Sequence, residues 1–159
     1  MSKKKENAKP FTSAESLVVT HLCIGWMGLL VFLSLGIVLE VLHGLKLGLY
    51  LDVDRSARRL MWTLAHAHGS LFSLIHLGLA ATVSFARKYE IPASTFRFAA
   101  RCCTGSLIVM PLGFFLGGLW TYGGDPGPGV FLVPVGALLM LVAVAKVVGI
   151  VSALRKQTL

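Results

Sequence analysis

Long apolar runs alternate with short polar connections along the chain, and this pattern predicts four helices. The four apolar stretches cover residues 13–43, 59–86, 99–121 and 130–154. A helix needs about 20 apolar residues to cross the hydrocarbon core of a bilayer, and each stretch is long enough. The connections are short and carry charges, glycines or prolines. The pattern therefore predicts an all-α integral membrane four-helix bundle with an up-down-up-down order.

Composition supports this assignment. The chain has 159 residues, of which 55% are hydrophobic and only 14% are charged, whereas about a quarter of a soluble domain is charged. Four crossings use nearly the whole length, so no additional soluble domain is expected. Residues 1–12 are predicted to form a disordered basic cytoplasmic tail, and residues 13–159 a single membrane domain.

The basic residues indicate how the helices are oriented. The formal net charge is +8, but the basic residues flank apolar runs, where they act as topology signals and not as contacts for nucleic acid. One predicted side carries Lys3, Lys4, Lys5, Lys9, Arg87, Lys88, Arg97, Arg101, Arg155 and Lys156. The other side carries Lys46, Arg55, Arg58 and Arg59. We therefore expect a multi-pass protein of the inner (plasma) membrane with both termini in the cytoplasm.

Histidines occur only in the first two predicted helices, and most of them lie on glycine-containing stripes. At about 100° per residue, one arc of the first helix carries His21, Gly25, Gly28, Phe32, Gly36 and His43. One arc of the second carries Trp62, His66, Gly69, Ser73, His76, Ala80 and Ser84. Glycines allow two helix backbones to approach closely. We expect these two helices to pack antiparallel along the stripes, with His68 pointing elsewhere.

Ionisable side chains inside a membrane usually face the protein interior or a cavity, and they often mark a functional site. Imidazole binds zinc, copper and iron, and a carboxylate can join it. The candidate haem ligands are His21, His43, His66 and His76, and the candidate metal ligands are Glu40, His43, His66 and His68. Haem b, copper and zinc are the cofactors considered. Two alternatives remain open: hydrogen bonds that hold the helices together, and a proton or ion relay.

The segment Ala65-His66-Ala67-His68-Gly69 resembles the His-Ala-His stretch on a helix of proteins related to haem-copper oxidase catalytic subunits. The resemblance covers one predicted helix of the four, and it implies haem or copper ligation by these histidines. That family has further histidines on later helices, and the third and fourth predicted helices here contain none. As a whole, the chain resembles small bacterial membrane proteins with four helices.

Other residues give weaker signals. Asp52 and Asp54 lie among basic residues, where ion pairing or solvation is a simpler role than calcium binding. The three cysteines, Cys23, Cys102 and Cys103, have no zinc or redox spacing and are expected to be free thiols. Common motifs for nucleophilic, zinc-protease or nucleotide chemistry are missing from the sequence.

These observations favour a non-enzymatic accessory subunit of a larger, respiratory-type membrane complex. Its expected partners are the bilayer and other membrane subunits or further copies of the chain, and no nucleic acid. The alternatives are a haem- or metal-binding redox protein and a small proton-coupled carrier.

Overall fold

The computed structural model describes residues 12–51 and 56–157 of the chain. The helices are α1 (Ser13–Gly44), α2 (Gly48–Leu51), α3 (Ser56–Ala86), α4 (Ser94–Leu119) and α5 (Leu132–Gln157). Single 3₁₀ turns, Arg87–Tyr89 and Pro128–Phe131, follow α3 and precede α5. The predictions for the tail before Thr12 and for Asp52 and Asp54 lie outside the described residues.

The predicted all-α four-helix fold is confirmed. Four of the helices, α1, α3, α4 and α5, are long and apolar enough to cross a membrane. Two helices start earlier than the sequence predicts, and α5 starts at Leu132, slightly later than the predicted residue 130. α4 begins at Ser94, five residues earlier than expected, because its first turns bury Phe96 completely while Arg97 stays exposed. α3 begins at Ser56, where Ala57 is already buried. In both cases, burial against the rest of the bundle extends the helix into polar residues that the apolar pattern assigns to a loop.

The helix α2 was not predicted at all. It is a single turn of four residues in the connection after α1. Its Tyr50 is only 4% exposed, and its hydroxyl lies 3.3 Å from Thr63 Oγ1 on α3. The burial of this aromatic ring is what fixes the turn against α3.

The start of α1 is a capping box, as the sequence pattern Thr12 to Glu15 indicates. The Thr12 amide donates to the Glu15 carboxylate at 2.9 Å, and the Glu15 amide donates to Thr12 Oγ1 at 3.3 Å. The same carboxylate accepts a hydrogen bond from Arg87, at the end of α3, at 3.1 Å. The cap therefore also links the ends of two neighbouring helices.

Two prolines lie inside long helices. Pro111 lies within α4, which runs on to Leu119. Pro134 falls in the first turn of α5. The missing amide hydrogen of proline is tolerated there because first-turn amides have no intrahelical partner.

The long helices pack in chain order: α1 on α3, α3 on α4, and α4 on α5. One groove separates α1 from α4 and has Ala65 of α3 in its lining. A second groove separates α3 from α5 and has Cys103 of α4 in its lining. The two central helices, α3 and α4, therefore carry most of the core. In the most apolar 18-residue segment of each helix, 56% of the residues of α4 are buried, compared with only 11% of those of α1.

The contact between α1 and α3 confirms the predicted antiparallel packing of the two stripes. Large side chains and glycines alternate across it. The facing pairs along the interface are His21 with His76, Gly28 with Ser73, Phe32 with Gly69, and Gly36 with His66. Trp62, which shares the predicted arc, packs in a cluster with Leu39 of α1 and also stacks its indole on Phe115 of α4.

Glycines also bring α4 and α5 together. Gly113 and Gly117 of α4 face the turn before α5, where a side chain at Gly113 would meet the Gly129 carbonyl at 3.0 Å. Further along, the Ser106 hydroxyl donates to the Gly136 carbonyl of α5 at 2.6 Å. This hydrogen bond is buried, so it satisfies both groups away from water.

We predict that Gly69→Ala destabilises the bundle by about 1–3 kcal/mol, because the added methyl group meets the Phe32 ring. The measurement is reversible unfolding in mixed micelles with increasing denaturing detergent. Gly78→Ala, on the same helix, is the matched control because nothing lies within 4 Å of the added methyl. Equal losses of stability in the two variants would show that close packing at Gly69 is not the cause.

Candidate functional site

A buried contact between two ionisable side chains joins His21 of α1 to His76 of α3. The two imidazoles are 3% and 0% exposed. Their Nδ1 atoms lie 2.6 Å apart, and the rings stack with centroids 4.8 Å apart. The sequence placed both residues at the same end of the bundle, and the structure brings them into direct contact.

This contact is a hydrogen bond between the two rings. A bond between two Nδ1 atoms requires one of them to carry the proton and the other to present its lone pair, so neutral imidazoles must adopt opposite tautomers. If both rings were protonated, two N–H groups would face each other and the bond would be lost. The pair can therefore hold at most one extra proton in this arrangement.

The same distance bears on the proposed ligand roles of this pair. A metal bound by two imidazoles lies about 2.0–2.1 Å from each nitrogen, which separates the nitrogens by well over the observed 2.6 Å. An iron with two axial imidazoles requires a still wider gap. Ligation through these two Nδ1 atoms would therefore require the rings to rotate or the helices to separate.

The second ring nitrogen of His76 is not hydrogen-bonded. Its Nε2 is buried and has no hydrogen-bond partner among the described residues. The backbone of Cys103 on α4 interacts with the imidazole, although not within the geometry of a hydrogen bond. The hydroxyl of nearby Ser73 donates to the Gly69 carbonyl of its own helix at 2.7 Å. His76 thus has one buried ring nitrogen without a hydrogen-bond partner among the described residues.

A second polar site lies at the other end of the α1–α3 interface. An open groove of about 640 Å³ runs between these helices, and the polar residues that line it are Glu40, His43, Tyr50, Thr63 and His66. We call this the outer groove. Three of the four predicted metal ligands therefore line one surface.

His66 is held in a defined orientation within the outer groove. Its Nδ1 donates to the Phe32 carbonyl at 2.7 Å, which leaves the Nε2 lone pair free. The ring lies against Gly36, where a Cβ atom would approach Cε1 to 2.5 Å. Glycine at this position is therefore required for the imidazole to reach the backbone of α1.

His68 does not join this groove. Its Nδ1 donates to the Leu64 carbonyl of its own helix at 2.9 Å, and its ring lies between Phe72 and Phe114 on the side of α4. Within residues 12–51 and 56–157, no three side chains of histidine, cysteine, aspartate or glutamate are close enough together to hold a metal ion. The predicted ligand set is thus divided: Glu40, His43 and His66 line the outer groove, whereas His68 lies on the side of α3 that faces α4.

The aromatic residues near the outer groove form a stack. Tyr50, Trp62 and Phe115 stack in sequence, with centroid distances of 6.5 and 5.7 Å. Tyr50 and Trp62 are buried, whereas Trp120 and Tyr122 are exposed. The Trp62 indole donates to the Phe115 carbonyl at 3.2 Å, which satisfies its N–H group inside the bundle.

Arg58 is a structural residue that the sequence did not single out. Its guanidinium donates to the Gly118 carbonyl at 2.9 Å and to the Leu119 carbonyl at 3.2 Å. These carbonyls end α4, where unpaired acceptors and the helix dipole both attract a cation. The guanidinium also lies 5.6 Å from the Trp62 ring centroid. The spacing of charges and aromatics along the chain gives no signal for this contact.

We predict that His21→Ala and His76→Ala each destabilise the protein by about 1–3 kcal/mol, since each leaves the other imidazole buried without its partner. The double variant should lose less than the sum of the two, because no unpaired imidazole remains. Unfolding in mixed micelles measures all three values. His43→Ala serves as the control, because His43 is exposed and outside the pair. Additive losses would show that the two rings do not depend on each other.

Comparison with known proteins adds no assignment to this site. No family model matches the chain, and neither a curated protein nor a solved structure is significantly similar to it. The function must therefore be argued from the chemistry of its own residues.

Proposed function

We propose that this protein is a non-enzymatic accessory subunit of a larger membrane complex, held there by lateral helix contacts. The observation that carries the proposal is the position of α1. This helix packs on α3 through one stripe, and its remaining surface is apolar and bare. Trp26, Leu30 and Ile37 are each more than 60% exposed. Acyl chains can cover such a surface, and so can the helices of another subunit.

Glu40 favours protein over lipid as the neighbour of α1. It is exposed on the apolar part of this helix and makes no ion pair or hydrogen bond with the described residues. A carboxylate on a membrane helix is costly unless it meets water or a polar partner. The outer groove supplies polar neighbours on one side only, with His43 and His66 in its lining. A partner helix that covers this face would complete the surroundings of Glu40.

The proposed setting is the inner membrane with both termini in the cytoplasm. The positive-inside rule supports this orientation, since Arg87, Lys88 and Arg97 lie at the same end of the bundle as the start of α1, where Arg87 contacts Glu15 and Arg97 contacts Ser13. The outer groove then opens at the opposite surface. The class of partner that we propose is a respiratory-type membrane complex.

We predict that a photoreactive residue at Ile37 cross-links α1 to a different protein in native membranes. Mass spectrometry of the cross-linked species identifies it. A photoreactive residue at Leu138 of α5, which is similarly exposed at 61%, is the matched control for contact with lipid. Glu40→Leu should reduce the yield several-fold, whereas Val41→Leu should leave it unchanged. A product containing only two copies of this chain, or only lipid adducts at Ile37, would contradict the accessory role.

A second candidate function is the binding of a transition metal in the outer groove. The supporting observation is the orientation of His66, whose Nδ1 donates to a backbone carbonyl while Nε2 remains available. Metal-binding histidines usually have this arrangement, because the backbone bond fixes the tautomer. Glu40 and His43 are both exposed, so rotation of their side chains would be needed to complete a ligand set.

We predict for this candidate that the purified protein retains about one zinc ion per chain after exposure to zinc and desalting, measured by elemental analysis. His66→Ala and Glu40→Gln should each weaken retention about tenfold or more. His68→Ala is the control on the same helix, because His68 faces α4. Retention that is unaffected by His66→Ala would eliminate the outer groove as the site.

A further inference from the structure

Lys146 is a charged residue well inside α5, eleven positions before the last residue of that helix. Its side chain is exposed, and its Nζ lies 5.9 Å from the centroid of the Phe98 ring on α4. A lysine on a membrane helix must reach either the headgroup level or a polar partner. The position of Phe98 decides which of these applies.

Phe98 is the fifth residue of α4, which begins at Ser94. Because α4 and α5 are antiparallel, the ammonium group of Lys146 lies beside the first turns of α4 and not at the middle of the bundle. This level is close to where the chain leaves the apolar region, since Arg87, Lys88 and Glu90 precede α4 by only a few residues. The ammonium group is therefore placed at headgroup depth.

Lys146 lines a groove between the start of α4 and the end of α5. The volume of this groove is about 790 Å³. Its lining consists of Ile91, Thr95, Val142, Ala145, Lys146, Gly149, Ile150 and Ala153. We call it the Lys146 groove. Along α5 the small residues Ala145, Gly149 and Ala153 leave the groove open. Nothing lies within 4 Å of the Cβ position of Gly149.

The groove contains a cation and no anion. The described acidic residues are Glu15, Glu40, Glu90 and Asp125, and none of them lines it. Glu15 pairs with Arg87 instead, and Glu90, the nearest in sequence, forms no ion pair with Lys146. Thr95 adds a hydroxyl that can donate to an anionic oxygen. The chemistry of the groove thus calls for a negatively charged group at headgroup depth with an apolar extension.

We propose that the Lys146 groove binds one anionic phospholipid. The phosphate pairs with the Lys146 ammonium and the Thr95 hydroxyl, and an acyl chain extends from there towards the middle of the bundle along Ala145 and Val142. Basic pockets between membrane helices are known to select anionic headgroups in this way. A partner helix packed on the same small residues would instead bury the ammonium without an anion, so charge complementarity favours the lipid. The proposal is independent of which protein covers α1.

The experiment is native mass spectrometry of the full chain in a zwitterionic detergent with added lipid. Phosphatidylglycerol should bind with a stoichiometry of one, and phosphatidylcholine should bind more weakly. Lys146→Gln should weaken phosphatidylglycerol binding about fivefold, the effect of one basic residue near a charged headgroup. Gly149→Leu, which fills the groove without changing charge, should also weaken it.

Lys88→Gln is the matched control. Lys88 is also exposed, and its Nζ also lies 5.9 Å from a phenylalanine ring, that of Phe85, but it is outside the groove. An equal loss for Lys88→Gln would overturn the proposal, because it would show only general attraction to charge. Competition by inorganic phosphate alone would indicate a site for a free anion. A dimer that Gly149→Leu abolishes, with lipid adducts unchanged, would identify the surface as a protein interface.

Discussion

The close approach of α1 to α3 is the contact on which the polar features of this protein depend. Membrane helices gain little from hydrophobic burial against each other, because lipid is equally apolar, so van der Waals packing and hydrogen bonds must hold them together. Here glycines on each helix receive a large side chain from the other, with Phe32 on Gly69 and His66 on Gly36. Without those glycines the backbones would stand further apart, and neither imidazole contact could form.

That close approach gives the histidines two different chemical states. At one end, His21 and His76 satisfy each other and exclude other ligands from the shared nitrogens. At the other end, His66 bonds to a backbone carbonyl and keeps its second nitrogen free in an open groove. The first arrangement is best suited to holding helices together or sharing a proton. The second has the tautomer that ligand binding requires, which is why the second candidate function is placed there.

The sequence predicted the fold better than it predicted the site. Helical periodicity located the two stripes correctly, because glycines and histidines recur at the spacing of one helix face. It could not assign Trp62, since a residue at the edge of an arc can turn towards either neighbour, and α4 offered the Phe115 carbonyl to its indole. For His68, the sequence predicted only that the side chain points away from the stripe. Its actual place between two phenylalanine rings depends on α4, whose position the pattern along α3 does not encode.

The order of the helices has a consequence for how the chain is assembled in the bilayer. Every extensive contact joins a long helix to the next one in sequence, so each newly inserted helix finds its neighbour already in place. No large interface has to wait for a distant part of the chain, and contacts of short sequence separation form quickly. Because α1 and α3 precede α4 and α5 in the chain, they can pair through their glycines and histidines before the two later helices are synthesised.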